Sequence, residues 1–408
     1  MRLLVICPHY EPDVAPTGVV MTAICDELVG AGHEIEIVTS LPWYEHHRVE
    51  PGWKGRLIRS ERRVSGRVTR VHPFPTDKRN IPARAAAFAG FTGLATLVAL
   101  FRRHRPDGVL AMSPPITLGL AGALVARIRR VPFVFNIQDV FPDVAIEVNA
   151  ITSPRLIRLA RGLERFTYRR SDAVTVLSDD LRDNVVDKIG AGSRSRVRVI
   201  PNFVDTAGIR PAPRLNSYRA DFGLGDRTVV MYAGNVGFSQ PLSLMVDAAR
   251  ELRDRDDVVF VINGGGSGRP SIEAEAQDLP NVVFVDFQPR ARLPEVLAAA
   301  DIHVVALKEG LARSSVPSKL YSILAAGRPV LAAIDAGTEV ARVVERAEAG
   351  RAVPPTDAKG FRDGLIEMID GVERRDQMGR RGRAFVEEWV SPAGVAGAYA
   401  DLFEELRA

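Results

Sequence analysis

Short runs of β-branched and apolar residues alternate with longer helical patterns along the whole chain, and this alternation restricts the fold more than any other feature. The runs in the first half are LLVIC, EIEIVT, VTRVH, GVLAM, FVFNI, AVTVL and VRVI, and those in the second half are TVVMYAG, VVFVING, VVFVDF, IHVVAL and PVLAA. Strands that are apolar on both faces and separated by helices are typical of parallel sheets covered on both sides. The pattern predicts an α/β fold with doubly wound, Rossmann-like sheets.

The length of the chain and one irregular segment predict two domains. A chain of 408 residues is too long for one small core, and two domains of about 200 residues are the expectation. The proline-rich segment IPNFVDTAGIRPAPRLN follows a strand and has no helical or strand periodicity. We therefore predict one Rossmann-like domain over residues 1–205 and a second over residues 206–391, with the last helix, 392–408, packing back onto the first domain.

Positive charge is concentrated in the first half of the chain. Residues 1–205 carry 29 Lys and Arg against 21 Asp and Glu, and the segment Lys54 to Arg70 alone has seven basic residues and one acid. Such a run is either a solvated face or a surface attracted to a polyanion, such as a membrane or a phosphate-bearing substrate. The run lacks aromatic residues that would stack on bases, and the chain has no zinc-ligand spacing, so we expect no nucleic-acid partner.

Two observations concern the cellular location. Cys7 and Cys25 are the two cysteines, and Met1 leads directly into strand residues, so we expect a reducing compartment, no signal peptide and a cytoplasmic protein. The segment Ala85 to Phe101 is uncharged and flanked by arginines. Its seventeen residues are close to the minimum for crossing a bilayer, so a buried helix or contact with the inner membrane surface is expected instead of a span.

In open α/β sheets, ligands bind where strands end and loops lead into helices. The first such loop is CPHYEPDVAPTGVV. Gly18, close to the start of the following helix, would let a phosphate or a sugar approach backbone N–H groups. His9 and Asp13 are polar candidates in the same loop. The alternative is that the loop only caps the helix.

A second cluster follows the strand FVFNI, in the sequence QDVFPDVAIEV. Asp139 falls where the strand passes into a loop, with Gln138 before it and Asp143 shortly after. A carboxylate at the end of a strand can hold sugar hydroxyls or transfer a proton. A carboxylate that caps a turn or a helix is the alternative.

Glycine-rich loops follow the first two strands of the second half. Gly234, Asn235 and Gly237 come after TVVMYA, and the turn NGGGSGRP, which contains Arg269, follows the next strand. The spacing is not G-x-G-x-x-G, so a dinucleotide site is weakly indicated. The loops offer close backbone approach to a diphosphate, although glycine-rich turns are often only turns.

The segment SVPSKLYSILAAGRPVL contains a lysine at an unfavourable position. Lys319 lies in the first turn of a predicted helix, where the helix dipole disfavours a cation. Free N–H groups at a helix start, the hydroxyls of Ser315 and Ser318, and the cations Lys319 and Arg313 would together suit a diphosphate. A solvated surface lysine is the alternative.

Taken in order, these motifs resemble the family 4 glycosyltransferases of the GT-B fold. Within that family they are most similar to bacterial enzymes of surface-polysaccharide assembly, of the colanic-acid and L-fucosamine transferase type. The matching text is HYEPDVAPTG, LVGAGHEIEIVTSLPWY, QDVFPDVAIEV, VIPNFVD, YAGNVGFSQPLSLMVDAAREL and VPSKLYSILAAGRPVL, which together span nearly the whole chain. None of these motifs identifies the sugar.

The resemblance implies two Rossmann-like domains facing across a cleft that closes on binding. The second domain would hold a nucleotide-sugar donor, with UDP the expected nucleotide, and the first a saccharide or polyprenyl-linked acceptor. Transfer would retain the anomeric configuration, with no bound metal and no other cofactor. The polar residues of the first domain's loops are the expected acceptor contacts: His9, Asp13, Gln138 and Asp143.

The resemblance also assigns donor contacts residue by residue. They are Gly18, Gly234, Asn235, Gly237, Arg269, Arg313, Pro317, Ser318, Lys319, Ser322 and Glu339. Asp139 and Lys319 are the expected catalytic residues, because Asp139 stands where many relatives place a histidine near the reacting sugar. Two family glutamates are replaced by Ser314 and Ser322, which puts the usual ribose contact in doubt.

Other functions are compatible with the same fold. A GT-B-fold nucleotide-sugar epimerase would act without an acceptor, and a nucleotide-linked oxidoreductase would need the G-x-G-x-x-G motif that the first strand lacks. A catalytically silent partner in polysaccharide assembly is the third alternative, because the family's glutamate pair is missing.

Overall fold

The computed structural model describes residues 1–64, 66–76, 81–148, 151–388 and 391–408. The chain divides into two compact units. One consists of Met1–Asn202 together with Ser391–Ala408, and the other of Phe203–Val390. The chain leaves the first unit inside the proline-rich segment and returns to it for its last helix.

Over the described residues the first unit contains eight strands: β1 (Arg2–Ile6), β2 (Glu34–Ser40), β3 (Ile58–Arg63), β4 (Gly66–Val71), β5 (Gly108–Ser113), β6 (Phe133–Ile137), β7 (Ala173–Val176) and β8 (Val197–Val199). They form one sheet in the order β3-β4-β2-β1-β5-β6-β7-β8. Every neighbouring pair is parallel except β3 with β4. The central strands are buried on both faces, as β5 shows at all of its positions.

The described part of the second unit contains six strands: β9 (Thr228–Ala233), β10 (Val258–Asn263), β11 (Val282–Val285), β12 (Ile302–Ala306), β13 (Val330–Ala333) and β14 (Gly350–Val353). Their order is β11-β10-β9-β12-β13-β14, and all neighbours are parallel. The predicted α/β class with two doubly wound sheets is therefore confirmed.

Helices connect the strands in both units. Those of the first unit are α1 (Pro16–Gly30), α2 (Ile81–Leu100), α3 (Thr117–Arg129), α4 (Asp143–Glu147), α5 (Pro154–Arg170) and α6 (Asp179–Ile189). Those of the second are α7 (Ser217–Asp221), α8 (Ser243–Glu251), α9 (Arg269–Glu275), α10 (Leu293–Ala299), α11 (Lys319–Ala325), α12 (Glu339–Arg346), α13 (Ala358–Asp370) and α14 (Val372–Glu387). The last helix, α15 (Pro392–Arg407), belongs to the first unit and packs against α1.

Two edge strands were not predicted. The strand β3 has the sequence IRSERR, and its charged composition made it part of the basic run Lys54 to Arg70. It pairs antiparallel with β4, and charged side chains are common on edge strands because they discourage pairing with other chains. Not all of the run is solvated, because Arg70 is fully buried and pairs with Glu61 at 3.0 Å. The other missed strand, β14, is only four residues long.

The uncharged segment Ala85 to Phe101 forms most of α2 and packs onto the sheet. Phe91, Ala95 and Ala99 are buried, whereas Phe101, just past the end of the helix, is 85% exposed. Across the described parts of the chain, every helix is too short or too polar to cross a membrane. One side of the segment therefore serves as ordinary core.

Candidate functional site

The second sheet has a topological switch point between β9 and β12. From β9 the chain proceeds outward through β10 and β11, and then returns to the other side of β9 with β12. The loops after β9 and β12 therefore diverge at the carboxyl edge, which is where open α/β sheets bind ligands. A backbone hydrogen bond of 2.9 Å from Lys308 N–H to the Ser239 carbonyl ties these two loops together.

Glycines let the loops after β9 and β10 lie directly against each other. Gly234, Gly264 and Gly266 have φ angles of +139°, +143° and +144°, in the region that favours glycine. A Cβ on Gly264 would lie 2.0 Å from the Gly234 carbonyl oxygen, and one on Gly266 would lie 2.3 Å from that of Val236. The backbones of the two loops are in direct contact, so no side chain larger than hydrogen fits at Gly264 or Gly266.

Two predicted glycine contacts have their amides occupied by the protein. Gly234 N–H donates to the Asn263 carbonyl at 2.9 Å, and Gly237 N–H donates to Gln240 Oε1 at 3.2 Å. These glycines therefore provide room for close approach, while their N–H groups stabilise the loop.

Lys319 lies beside this glycine loop without an anionic partner. Its Nζ is 3.7 Å from the centroid of the Tyr232 ring, and a Cβ on Gly234 would lie 3.0 Å from it. Within the described residues, Nζ makes neither a hydrogen bond nor an ion pair. Burial lowers the pKa of Lys319 to about 7, because a desolvated ammonium loses its hydration without a compensating charge. The site thus holds a partly buried cation that an anion would stabilise.

Tyr232 is a site residue that the sequence did not reveal. It ends the apolar run VVMY and resembles ordinary core. Its ring forms the face on which Lys319 rests, and its hydroxyl donates to the Asn235 carbonyl at 2.6 Å. A cation over an aromatic face gains electrostatic stabilisation, so Tyr232 positions both the lysine and the glycine loop.

The helix that follows begins at Lys319. Ser318 occupies the N-cap position, is exposed, and makes no capping hydrogen bond with its side chain. Pro317 and Ser322 are half-buried, and Ser314 is fully buried. The helix ends before Gly327, whose φ of +68° is left-handed, as expected for a C′ glycine. Ser318 and Ser322 are exposed enough to reach a ligand, whereas Ser314 is not.

The two candidate arginines differ in their exposure to solvent. Arg269 donates to the Gly264 carbonyl at 2.6 Å and forms ion pairs with Glu273 at 2.7 Å and Asp286 at 2.5 Å. Its guanidinium therefore braces the glycine-rich loop from within. Arg313 is exposed at the end of a short 3₁₀ turn after β12, so it is the more accessible of the two.

Glu339 begins α12, after the strand β13 that neighbours β12. Its carboxylate pairs with Arg342 at 3.0 Å. Burial and then the charge of Glu339 raise the pKa of Tyr321, which lies on α11. Glu339 is therefore close to the lysine-bearing helix, although one of its oxygens is engaged by Arg342.

In the first unit, His9 and Asp13 form a pair after β1. His9 Nδ1 lies 2.7 Å from Asp13 Oδ2, and the other carboxylate oxygen accepts a hydrogen bond from Tyr44 N–H at 3.1 Å. Asp13 is buried, whereas the His9 side chain remains 12% exposed. This arrangement orients the imidazole, and the second ring nitrogen makes no hydrogen bond within the described part of the chain.

His9 borders an aromatic cavity of about 220 Å³. Its ring stacks on Trp43 at 5.7 Å and meets Tyr44 edge-on at 5.3 Å. The other walls are mainly aromatic rings and prolines, namely Pro73, Phe74, Pro75, Phe88, Phe91, Pro114 and Pro115. This cavity was not predicted, because its residues come from five separate segments of the chain.

Gln138 belongs to a buried hydrogen-bond network. Its Nε2 donates to Asn136 at 2.8 Å, and its Oε1 accepts from Asn202 at 2.9 Å. Asn136 in turn donates to the hydroxyl of Tyr399 on α15 at 2.8 Å. The network joins the core of the first unit to the start of the linker and to the last helix, so a structural role accounts for Gln138.

Asp139 and Asp143 have different surroundings. Asp139 is half-buried at the carboxyl end of β6. Asp143, at the start of α4, pairs with Lys188 at 2.7 Å, and Lys188 also contacts the fully buried Glu164 at 2.5 Å. Burial raises the pKa of Glu164 to about 7, with Lys188 opposing the shift. Asp143 is thus part of a structural ion-pair cluster, whereas Asp139 lies at the ligand edge.

Gly18 is buried against the loop that it was expected to open to a ligand. A Cβ at this position would lie 2.9 Å from the His9 Cβ and 3.2 Å from Tyr10 N. Its carbonyl accepts a hydrogen bond from Thr22 at 2.8 Å. The absence of a side chain therefore lets α1 pack against the His9 loop.

The described residues also contain a second groove and an acidic group that includes a histidine. A groove of about 970 Å³ opens beside Gly350, at the amino end of β14, and is lined by α12 and α14. Among the described residues, Glu45, His46 and Glu50 form a group with ligand atoms within 4.8 Å of one another. Glu45 and His46 are exposed, and exposed groups of this kind are common without a metal.

Two families match the chain. Residues 17–202 match the family described as Glycosyl transferase 4-like domain, and residues 227–371 match Glycosyl transferases group 1. These matches correspond to the two units of the structure.

Similar proteins cover most of the chain. The putative colanic acid biosynthesis glycosyl transferase WcaI of Escherichia coli strain K12 is 26% identical over 355 residues, which is 85% of this chain and 86% of the relative. The alpha-D-kanosaminyltransferase of Streptomyces kanamyceticus is 23% identical over 94% of this chain and 98% of its own length. The crystal structure of Anabaena HepE in complex with UDP-glucose superposes with a TM-score of 0.72 and 15% identity, over 100% of both chains. At that identity the structural likeness shows the fold alone.

Proposed function

Because this chain belongs to the glycosyltransferases whose 4-like and group 1 domains match its two halves, we propose that it transfers a sugar from a UDP-linked donor to a saccharide or lipid-linked acceptor in the assembly of a bacterial surface polysaccharide. The observation that carries the proposal is the partly buried, unpaired Lys319 beside Gly234 at the switch point of the second sheet. The name of the relative WcaI supports the polysaccharide assignment, and the UDP-glucose complex of HepE supports the choice of nucleotide.

The proposed chemistry is metal-independent transfer with retention. The bond between the anomeric carbon and the β-phosphate oxygen breaks, and the acceptor oxygen bonds to that carbon on the same face. The acceptor's proton passes to the departing phosphate oxygen, so no protein nucleophile is required. Negative charge develops on the diphosphate, and a fixed cation in a desolvated site stabilises such charge strongly. Lys319 is the group we assign to this task.

Donor contacts follow from the accessibility of the candidates. Four candidates in the loops after β9 and β12 and on α11 are exposed or half-buried, namely Asn235, Arg313, Ser318 and Ser322. We assign these to the diphosphate and ribose, with Glu339 near the donor sugar. Arg269 and the glycines support the loop that carries them.

The acceptor is assigned to the first unit. His9 is oriented by Asp13 and faces a cavity with aromatic walls, and aromatic rings stack well against the apolar faces of sugars. We assign His9 to an acceptor hydroxyl and Asp139 to the reacting sugar. A lipid-linked acceptor would place the enzyme at the inner face of the membrane.

Nucleotide binding is the direct test. Thermal-shift measurements with UDP, GDP and dTDP and with their sugars, with and without EDTA, should show stabilisation by the UDP ligands that EDTA does not remove. Stabilisation that depends on added magnesium would contradict metal-independent binding. Absence of any response to all three nucleotides would contradict the donor site itself.

Turnover separates the proposal from its alternatives. An epimerase would convert a nucleotide sugar to its epimer without an acceptor, whereas a transferase should slowly hydrolyse the donor under the same conditions. A catalytically silent partner would do neither. Coupled detection of released UDP, with product analysis by NMR, distinguishes the three outcomes.

A further inference from the structure

The exposed side of α5 carries an unusual combination of charge and apolar surface. The helix, PRLIRLARGLERFTYRR, contains six arginines and one glutamate, and that glutamate, Glu164, is fully buried. Its buried positions are polar or mixed, namely Glu164, Thr167 and Tyr168. The large apolar side chains of α5 therefore lie mostly outside its buried face.

An apolar stripe runs along that other face. Leu156, Leu159, Leu163 and Phe166 are spaced three, four and three residues apart, which places them on one side of a helix. Leu159 is 70% exposed, Phe166 is 49% exposed and Leu156 is 47% exposed. The neighbouring helix α3, which packs against α5, adds the exposed residues Leu124 and Ile128. Two helices that pack together thus both carry large apolar side chains exposed to solvent.

The arginines of α5 are not explained by the stability of the helix. Arg155 and Arg158 lie in its first turns, where no acidic residue accompanies them and the helix dipole disfavours cations. Within the described residues, no carboxylate pairs with Arg155, Arg158 or Arg165. Arg169 and Arg170 are in the last turn, where the dipole favours them, and Arg170 also lies over the Phe166 ring at 5.2 Å.

In the second unit, several exposed arginines form ion pairs with nearby carboxylates. Arg250 pairs with Asp247 at 3.0 Å, Arg362 with Glu251 at 3.1 Å, and Arg381 with Glu348. Intramolecular pairing therefore uses much of the charge there, whereas α5 presents its cations to the solvent.

We propose that the exposed face of α5, with the adjoining apolar side chains of α3, is a docking surface for a bilayer that contains anionic lipids. Alternating arginines and large apolar side chains suit the interface between headgroups and acyl chains, because cations contact the lipid phosphates while leucine and phenylalanine enter the apolar boundary. A helix of 17 residues spans about 25 Å, enough to lie along a membrane surface.

This surface differs from the one that hydrophobicity alone suggested. In α2 the apolar segment buries Phe91, Ala95 and Ala99 in the first unit. Its exposed positions among the described residues are mostly small, namely Ala86, Ala89, Gly90 and Gly93, together with Leu97. This inference rests on the proposed function, because membrane binding would bring the enzyme to a lipid-linked acceptor. Binding to vesicles and binding to UDP are nevertheless separate measurements, so either can fail alone.

The test is vesicle flotation of the full chain in 50 mM and 500 mM NaCl. Vesicles of phosphatidylcholine alone are compared with vesicles containing 30% phosphatidylglycerol. One variant combines Arg155→Gln, Arg158→Gln and Arg165→Gln, and a second combines Leu156→Ser, Leu159→Ser and Phe166→Ser. The matched control combines Arg250→Gln, Arg362→Gln and Arg381→Gln, which removes the same charge from the second unit.

The wild type and the control are expected to float with the anionic vesicles at low salt. The arginine variant should bind about 100-fold more weakly, since each cation near an anionic surface contributes about a factor of five. The apolar variant should lose vesicle binding at 500 mM NaCl, where salt already weakens the contribution of the arginines. UDP-induced thermal shifts should be the same in the wild type, both α5 variants and the control. Equal loss in the control and the α5 variants, or no binding of the wild type, would overturn the proposal. Vesicle binding that survives in the apolar variant, together with equal binding to heparin, would assign the face to soluble polyanions.

Discussion

The two sheets have a switch point at the same place in their strand order, but the residues at the two carboxyl edges differ in charge and polarity. Each sheet reverses its strand order beside its first strand, between β1 and β5 in the first unit and between β9 and β12 in the second. In the second unit, the carboxyl edge at the switch point carries glycines and a lysine without an anionic partner among the described residues. In the first unit they consist of aromatic rings, prolines and a histidine already paired with an aspartate.

The difference shows which kind of ligand each edge can hold. A desolvated cation without a partner is unstable until an anion arrives, so the second edge is suited to a diphosphate. The first edge sets a histidine, hydrogen-bonded to an aspartate, among aromatic walls, so we expect it to suit a neutral ring that offers hydroxyls. We therefore expect the two edges to bind different substrates, one anionic and one neutral.

Replacing Lys319 removes the charge on which this contrast depends. Lys319→Ala should reduce kcat/KM by about 30- to 1,000-fold, because losing a direct electrostatic contact to the leaving group costs about 2–4 kcal/mol. Steady-state kinetics with saturating acceptor measures the loss. The fold should not suffer, since a desolvated cation is removed.

Two further variants make this measurement decisive. Lys319→Met keeps the methylene stem without the charge and should behave like the alanine variant. Lys359→Ala is the control, because Lys359 is 80% exposed and pairs with Asp363 at 2.7 Å. Wild-type kinetics in Lys319→Met would show that the second edge does not use its cation.

Asp139 tests whether chemistry also depends on the first edge. Asp139→Asn should reduce kcat by about 10- to 100-fold, in the range of a group that assists proton transfer or stabilises charge. UDP affinity from calorimetry should change less than kcat, because Asp139 lies in the other unit. An equal loss of rate and nucleotide affinity would instead indicate a structural cap.

The periodicity of the sequence was sufficient for the architecture, and its failures have physical reasons. Almost entirely apolar runs such as β5 and β10 were predicted correctly, because both faces of a strand in a covered parallel sheet are buried. The edge strand β3 escaped prediction because charged residues also suit a solvated loop. The final strand, β14, is too short for any periodicity to appear.

The candidate site was predictable where its conformation requires particular residue types at the ends of strands. Glycines and a lysine at strand ends are visible in the printed chain, and Gly234 and Lys319 do lie together. Pairing between distant residues is not visible, and the contact of Arg269 with Asp286 is an example. The pairing of Arg269 with Glu273, four residues later on the same helix, has a helical spacing that the sequence does show. The aromatic cavity was missed for the same reason, since it is assembled from separate segments.

Gly234 tests the close packing at the second edge. Gly234→Ala should destabilise the fold by about 1–3 kcal/mol, because alanine is strained at a φ of +139°. The new methyl would also displace Lys319, so we expect UDP affinity to fall about tenfold. Chemical denaturation and calorimetry measure the two effects. Gly192→Ala is the control, since nothing lies within 4 Å of its Cβ.

His9 tests the neutral character of the first edge. His9→Ala should raise the acceptor KM by about two- to tenfold, the cost of one lost hydrogen bond, while the donor KM stays unchanged. His46→Ala provides a control, because His46 makes a comparable contact with Glu50 at 2.9 Å on an exposed surface. A rise in the donor KM would mean that the two edges do not divide their substrates as proposed.

The pH dependence of nucleotide affinity is a modest effect, but it addresses the lysine most directly. Lys319 has a pKa of about 7 in the free protein, and a bound diphosphate favours its protonated form. Above pH 7 binding must therefore be accompanied by proton uptake, and UDP affinity should fall about fivefold from pH 7 to pH 8. The neighbouring His303 does not titrate in this range, because burial lowers its pKa to about 4. The slope should disappear in Lys319→Met. If both proteins showed the same slope in calorimetric titrations, the lysine would not be the group that meets the phosphate.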